Sequence, residues 1–116
     1  MSLYAVIREA GPAWSDGKGA FEQPVVNEHA AFMNTLASEG FIQFAGPLGG
    51  SEHGRIRVLL IASAASESEI HRRLADDPWA VAQRLVTKSV EPWNLLVGAE
   101  RLSGAQTAAK PSPDRT

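Results

Sequence analysis

Four short runs rich in strand-forming residues, interleaved with two segments of helical periodicity, confine this chain to a strand-helix-strand pattern written twice. The first run, Leu3, Tyr4, Ala5, Val6 and Ile7, is ended by the charges of Arg8 and Glu9 and then by Gly11 and Pro12, so it reads as a mostly buried first strand. Beyond Pro24, the residues Val25, His29, Phe32, Met33 and Leu36 fall at offsets 0, 4, 7, 8 and 11, one face of a helix, with Gly40 where a C-terminal cap belongs. Phe41, Ile42, Gln43, Phe44 and Ala45 form a second strand running into Gly46 and Pro47. A third run from Ile56 to Ile61 follows a glycine-rich turn, so these two strands make a hairpin.

Ser66 and Glu69 have the Ser-x-x-Glu spacing of a capping box ahead of Ile70 and Leu74, which starts a second helix that ends near Asp76. Asp77 and Pro78 then fit an N-cap followed by proline at the first helical position, with Trp79, Ala82 and Leu85 as the apolar face of a short helical turn. The last strand covers residues 89–97, where Pro92 requires an edge or a bulge. Between the first strand and first helix, residues 10–23 show no sustained period but carry Trp14 and Phe21, which predicts a packed loop anchored by those two rings.

This order predicts an α+β, ferredoxin-like β-α-β-β-α-β fold: an antiparallel sheet with helices on one face. Alternating chain direction brings the 10–23 loop, the start of the first helix with His29, the glycine-rich hairpin and the end of the second helix with Asp77 to one end of the layer. The opposite sheet face is too apolar to remain in water, so a homodimer through the sheet is expected.

Of the 116 residues, 1–102 are expected to form one domain. Residues 103–116 lack large apolar side chains, carry two prolines and are expected to be a disordered tail. Eleven basic against 13 acidic residues give a net charge of −2, which argues against an electrostatic nucleic-acid or membrane binder. The absence of cysteine excludes disulfides, thiol nucleophiles and thiolate metal sites. No apolar run approaches the roughly 18 residues of a membrane span, and a cytoplasmic location is the default.

Three candidate sites follow. His29 lies on an apolar stripe, where the bland alternative is a half-buried histidine bonded to a carbonyl; functionally, an imidazole titrates near neutral pH if a second group fixes its tautomer. Asp77 can be that group, although an aspartate ahead of Pro78 is adequately explained as a cap worth about 1 kcal/mol. One carboxylate can do both. The segment around Gly46, Pro47 and Gly49 invites a phosphate-loop reading, but no Lys-Ser or Lys-Thr follows and a strand comes next, so nucleotide binding is rejected. Gly46 and Pro47 remain candidates for close backbone approach to a substrate. Trp14 and Trp79 are ordinarily core residues, with a place in a substrate pocket as the alternative. His53 and His71 share no ligand spacing with His29, so no metal and no cofactor are expected.

In this order and spacing, Glu28-His29, Gly40, Gly46-Pro47-Leu48, Asp77-Pro78-Trp79 and Pro92-Trp93 resemble the YCII-related family of small proteins. The resemblance spans residues 3–102. It implies the dimeric α/β barrel form of the ferredoxin-like fold and a His-Asp dyad at His29 and Asp77. It also implies distant kinship with muconolactone isomerase-like proteins and with a dehydrochlorinase of aromatic degradation. The 14–23 loop is longer than in the shortest members, which leaves the choice of substrate open.

Two functions fit. One is a cofactor-independent enzyme performing proton-transfer chemistry of isomerase, lyase or hydrolase type on a small organic substrate. The other is a non-catalytic dimeric small-ligand-binding module on the same fold. For the first, His29 and Asp77 should meet within about 2.6 to 3.2 Å or through one water. Asp77→Asn is then expected to leave the fold intact while disturbing the imidazole tautomer.

Overall fold

The computed structural model describes residues 1–106. Strand β1 spans Ser2–Ala10, helix α1 Val26–Ser38, β2 Ile42–Pro47, β3 Arg57–Ala64, α2 Glu67–Leu74, the short α3 Pro78–Val81, β4 Leu85–Pro92 and α4 Ala99–Gln106. The strands form one antiparallel sheet in the order β2-β3-β1-β4, the ferredoxin-like arrangement expected from the alternation. Val6 stands opposite Leu60 on one side and Val90 on the other, and by the period of two Tyr4, Val6 and Arg8 all face the helices. Tyr4, Val6, Leu60 and Ala62 pack there against Leu36 of α1 and Ile70 and Leu74 of α2.

Local chemistry accounts for the helix ends. Gly40 at φ +83 closes α1, with the Gly40 N–H donating to the Ala37 carbonyl and the Phe41 N–H to Leu36, a full Schellman motif. At the start of α2 the Ser66 hydroxyl accepts from the Glu69 N–H at 3.2 Å, while the Glu69 carboxylate reaches one residue further back, to the Ala65 N–H at 2.7 Å.

Several boundaries differ from the sequence expectation: β1 runs on past Ile7 to Ala10 and β3 past Ile61 to Ala64. The last strand begins at Leu85, four residues before the expected 89, and ends at Pro92 on an edge of the sheet; Leu85 is a buried strand residue, outside the helical turn of α3. Gln83 at φ +61 makes the intervening turn. Val25 lies outside α1 and is partly exposed, and the half-buried Val26 packs inward in its place. Of the tail expected from residue 103, residues 103–106 belong to α4, which follows Gly98 and is anchored by the buried Leu102; residues 107–116 lie outside the described residues.

The 10–23 loop is packed, as its aromatic content implies, but with different anchors. Trp14 and Ala20 are buried with Ile56, Trp79 and Leu85, whereas Phe21 is 83% exposed. The loop is tied down by the Gly11 N–H to Arg84 carbonyl bond at 2.8 Å and the Ala13 N–H to Gln83 carbonyl bond at 2.9 Å. The buried Gln23 side chain acts as a strut, accepting from the Ser15 N–H at 2.8 Å and donating to the Ser15 and Lys18 carbonyls, each at 3.1 Å. A Cβ on Gly11 would run into the Gln83 carbonyl oxygen and reach 3.0 Å from a Val86 methyl. Gly11→Ala is therefore expected to lower stability by about 1–3 kcal/mol through overpacking, read as a lower urea midpoint at unchanged slope. An unaltered midpoint would show that the loop is not held here.

Candidate functional site

At the end of the layer where β1 finishes and α1 begins, three elements converge on one carboxylate. Asp77 caps α3: its Oδ1 accepts the Trp79 backbone N–H at 2.9 Å, the bond expected of an aspartate before proline. The same side chain receives His29 Nδ1 at 2.9 Å to Oδ1 and 2.9 Å to Oδ2, from 48 residues away in the chain. Capping and the imidazole contact therefore coexist on one side chain.

The third partner was not singled out in the sequence. Arg8 Nη1 donates to Asp77 Oδ2 at 2.9 Å. Arg8 is 1% exposed and Asp77 0%, while the His29 side chain is 16% exposed. His29 is thus the member of the trio that reaches solvent. Read locally, Arg8 terminates an apolar run; read with the period of two, it follows Tyr4 and Val6 on the helix-facing side of β1. That alternation was the available signal, and the charge masked it.

The imidazole is held on its face as well as at Nδ1. The Trp79 indole stacks on it with centroids 3.9 Å apart and planes inclined by 11°. Trp79 Nε1 donates to the Pro24 carbonyl at 2.9 Å, and Trp14 meets the indole edge-on at 5.5 Å and 78°. Trp14 and Trp79 are both interior, so they form a backing for His29. Such aromatic pairs contribute about 0.5–1.5 kcal/mol each beyond the area they bury.

Register locates the remaining candidates. Pro47 pairs with Val58, which pairs with Arg8, so the three lie on one rung and one sheet face, with Pro47 about 10 Å from Arg8 across two strand spacings. Gly46 pairs with Leu59 and points to the other face, with nothing within 4 Å of a Cβ placed on it. Pro47 has no N–H and the Leu48 N–H is committed to the Arg57 carbonyl at 2.8 Å; two residues back, Gly46 falls on the next hydrogen-bonded rung, so its N–H faces Leu59 of β3 and what it offers a ligand is its missing side chain. Among the described residues no group of three or more His, Asp or Glu side chains could hold a metal ion. Among them too, no helix is long and apolar enough to cross a membrane.

Electrostatics at the site is a contest between burial and pairing. Burial pushes the Asp77 carboxyl up, but the His29 hydrogen bond, the Arg8 charge and the Trp79 N–H together hold it below its ordinary value. Burial pulls the Arg8 guanidinium down, opposed by the charge and hydrogen bond of Asp77. Two of its nitrogens, Nε and Nη2, are buried without a protein partner.

This placement argues against the expectation that Asp77→Asn leaves the fold intact, because the substitution strands a buried guanidinium. A loss of about 3–5 kcal/mol is expected, and Arg8→Met combined with Asp77→Asn should cost less than the sum of the two single changes in urea unfolding. The sign of the pH dependence follows from the depressed carboxyl. Unfolding takes up a proton, so the stability Asp77 contributes is fully present above the unfolded value of about 3.9 and is lost as pH falls through the folded value. Urea midpoints measured from pH 6 downward should decline below about pH 4 more steeply in the wild type than in the double variant. Parallel declines would remove Asp77 as the acid-sensitive group.

No family model matches the chain, and no curated protein matches it. Among solved structures it is similar to 5-chloro-2-hydroxyhydroquinone dehydrochlorinase from Burkholderia phenoliruptrix AC1100, in complex with 2,5-dihydroxybenzoquinone. The TM-score is 0.51 at 20% identity, over 84% of this chain and 97% of that one. At that identity the likeness is one of fold: the chain shares the small α+β architecture of that enzyme, a four-stranded antiparallel sheet covered by helices.

Proposed function

We propose that this protein is a cofactor-independent enzyme of the YCII-related type that moves a proton on a small organic substrate, with His29 as the general base or acid and Asp77 as its orienting partner. The observation that supports this most is the bond from His29 Nδ1 to a wholly buried, ionised Asp77 on an otherwise partly exposed ring. An ionised carboxylate has no proton to give, so Nδ1 carries the hydrogen and donates it, and in the neutral ring the lone pair is then the one on Nε2. Nε2 can then take a proton from a substrate C–H or O–H, and the imidazolium formed is stabilised by Asp77. Return of that proton to another substrate atom completes an isomerisation and departure of a leaving group completes an elimination; where the proton comes instead from a water whose oxygen attacks a carbonyl, its delivery to the departing alkoxide completes a hydrolysis.

The stacked Trp79, backed by Trp14 and pinned through Pro24, fixes the ring plane, so these two tryptophans act on a substrate through the imidazole. Pro47 borders the same sheet face as Arg8, where its ring can flank a substrate, and Gly46 beside it adds no side chain to obstruct one. The structural neighbour is named as a dehydrochlorinase and was obtained with a dihydroxybenzoquinone, which favours hydroxylated quinones and chlorinated hydroquinones as first substrates to examine. Hydrogen-halide elimination from such a ring requires one proton to be removed, the chemistry offered by Nε2.

A homodimer through the uncovered sheet face belongs to the same reading. Phe44, 58% exposed, and Leu59 lie there beside Ala5 and Ile7, apolar surface that a second copy would cover. Light scattering at micromolar concentration should give twice the monomer mass, and a stable monomer would remove the barrel assembly. The enzymatic reading is tested by turnover of chlorinated hydroquinones, lactones and small esters. His29→Ala should lower any activity found by about 10²–10⁴-fold. Saturable binding of 2,5-dihydroxybenzoquinone with no turnover in the panel would favour the ligand-binding module.

A further inference from the structure

The charges behind His29 carry a second assignment, which rests on the reading of His29 as the proton carrier. We propose that Arg8 is a positioning residue acting through Asp77: its buried positive charge cancels that of the carboxylate, so that His29 rests as a neutral imidazole with Nε2 open to accept a proton. A carboxylate beside an imidazole, left to itself, favours the imidazolium, since an opposite charge within about 4–6 Å shifts such a group by about 1–3 pH units. An imidazolium can only give a proton; a base must start neutral. Arg8 Nη1 and His29 Nδ1 share the same carboxylate, both at 2.9 Å, so protonating His29 would set two cations against one anion.

The economy of Arg8's bonding supports this role. A guanidinium kept as a structural brace would use its fork of five donors, yet Nη1 has Asp77 and, at 3.9 Å, the Met33 sulfur, while Nε and Nη2 have no protein partner. A buried ion pair is weak grounds for stability, because apolar side chains of similar volume commonly do as well or better. What an apolar residue could not supply here is the charge.

The surroundings leave Arg8 as the cation that faces Asp77. From β3 and β4 the rung neighbours of Arg8 are Val58 and Thr87, from α1 comes Met33, and from α3 comes the Trp79 ring. Glu28 and Asp76, adjacent in sequence to His29 and Asp77, are exposed, and among the described residues no other charged side chain hydrogen-bonds to either. The indole face favours an imidazolium, opposite to Arg8, but it is retained in every variant below.

Nitrogen NMR of the full chain, following His29 Nδ1 and Nε2 against pH, tests the assignment without a substrate. In the wild type His29 should be neutral at pH 7 with its proton on Nδ1. In Arg8→Gln and Arg8→Met the His29 midpoint should rise by about one pH unit or more, tenfold in proton affinity, while Arg8→Lys stays near the wild type. The proposal is overturned if His29 is already protonated at pH 7, if the neutral variants move it by less than about 0.3 unit, or if Lys moves it as far as Gln. Should both neutral variants fail to fold, the wild-type spectrum decides: a neutral Nδ1–H ring supports the assignment and an imidazolium ends it. A neutral, correctly tautomeric His29 in a protein that turns nothing over would sink the enzymatic reading and leave this one standing.

Discussion

The desolvated Asp77 carboxylate is the constraint around which this end of the molecule is organised. A bare carboxylate removed from water is prohibitively costly, so every one of its acceptor directions must be filled, and the groups that fill them come from three different elements. The Trp79 N–H belongs to α3, Arg8 to β1 and His29 to α1. None of these elements can slide relative to the others without uncovering charge. The arrangement is therefore as much a statement of register as of chemistry: it fixes where β1 ends, how α1 is rotated and where the chain turns into β4.

The same node explains why the loop ahead of α1 is ordered without secondary structure of its own. Once Asp77 caps α3, the Trp79 indole projects back over α1, and its Nε1–H needs an acceptor, which the Pro24 carbonyl supplies. Trp14 then fills the space at the indole edge and brings the 10–23 loop with it. Gln23 satisfies backbone groups that a helix or strand would otherwise have satisfied. The loop is thus a fixed wall behind the imidazole.

Much of this was legible in the sequence, for physical reasons. Periodicity and caps identify both main helices, and alternating chain direction brings residues 29 and 77 to one end, because topology depends only on the order of elements. What remained hidden was whatever a local rule describes wrongly. Arg8 looked like the end of a strand because charge usually marks one; it is tolerated inside because a partner 69 residues away neutralises it. Phe21 looked like an anchor because it is large, yet Ala20 is the residue turned inward. The start of β4 was missed because Leu85 fits a helical face and a strand equally well, and the turn at Gln83 carries none of the usual turn residues.

Val25 shows how far the node's demands extend along the chain. It adopts the left-handed conformation at φ 53 and ψ 29, which a β-branched side chain resists at a cost of order 1–3 kcal/mol. The reason lies on either side of it. Pro24 must present its carbonyl to Trp79, and immediately afterwards α1 must start so that the His29 N–H closes the first helical bond on the Val25 carbonyl, at 3.0 Å. A right-handed Val25 would point the helix elsewhere and carry the imidazole away from Asp77. The strain is offset by the indole hydrogen bond, the ring stack and the carboxylate contact, all of which exist only when the helix sets out in this direction. The backbone outlier and the buried charges are two expressions of one requirement: His29 has to arrive with Nδ1 against Asp77.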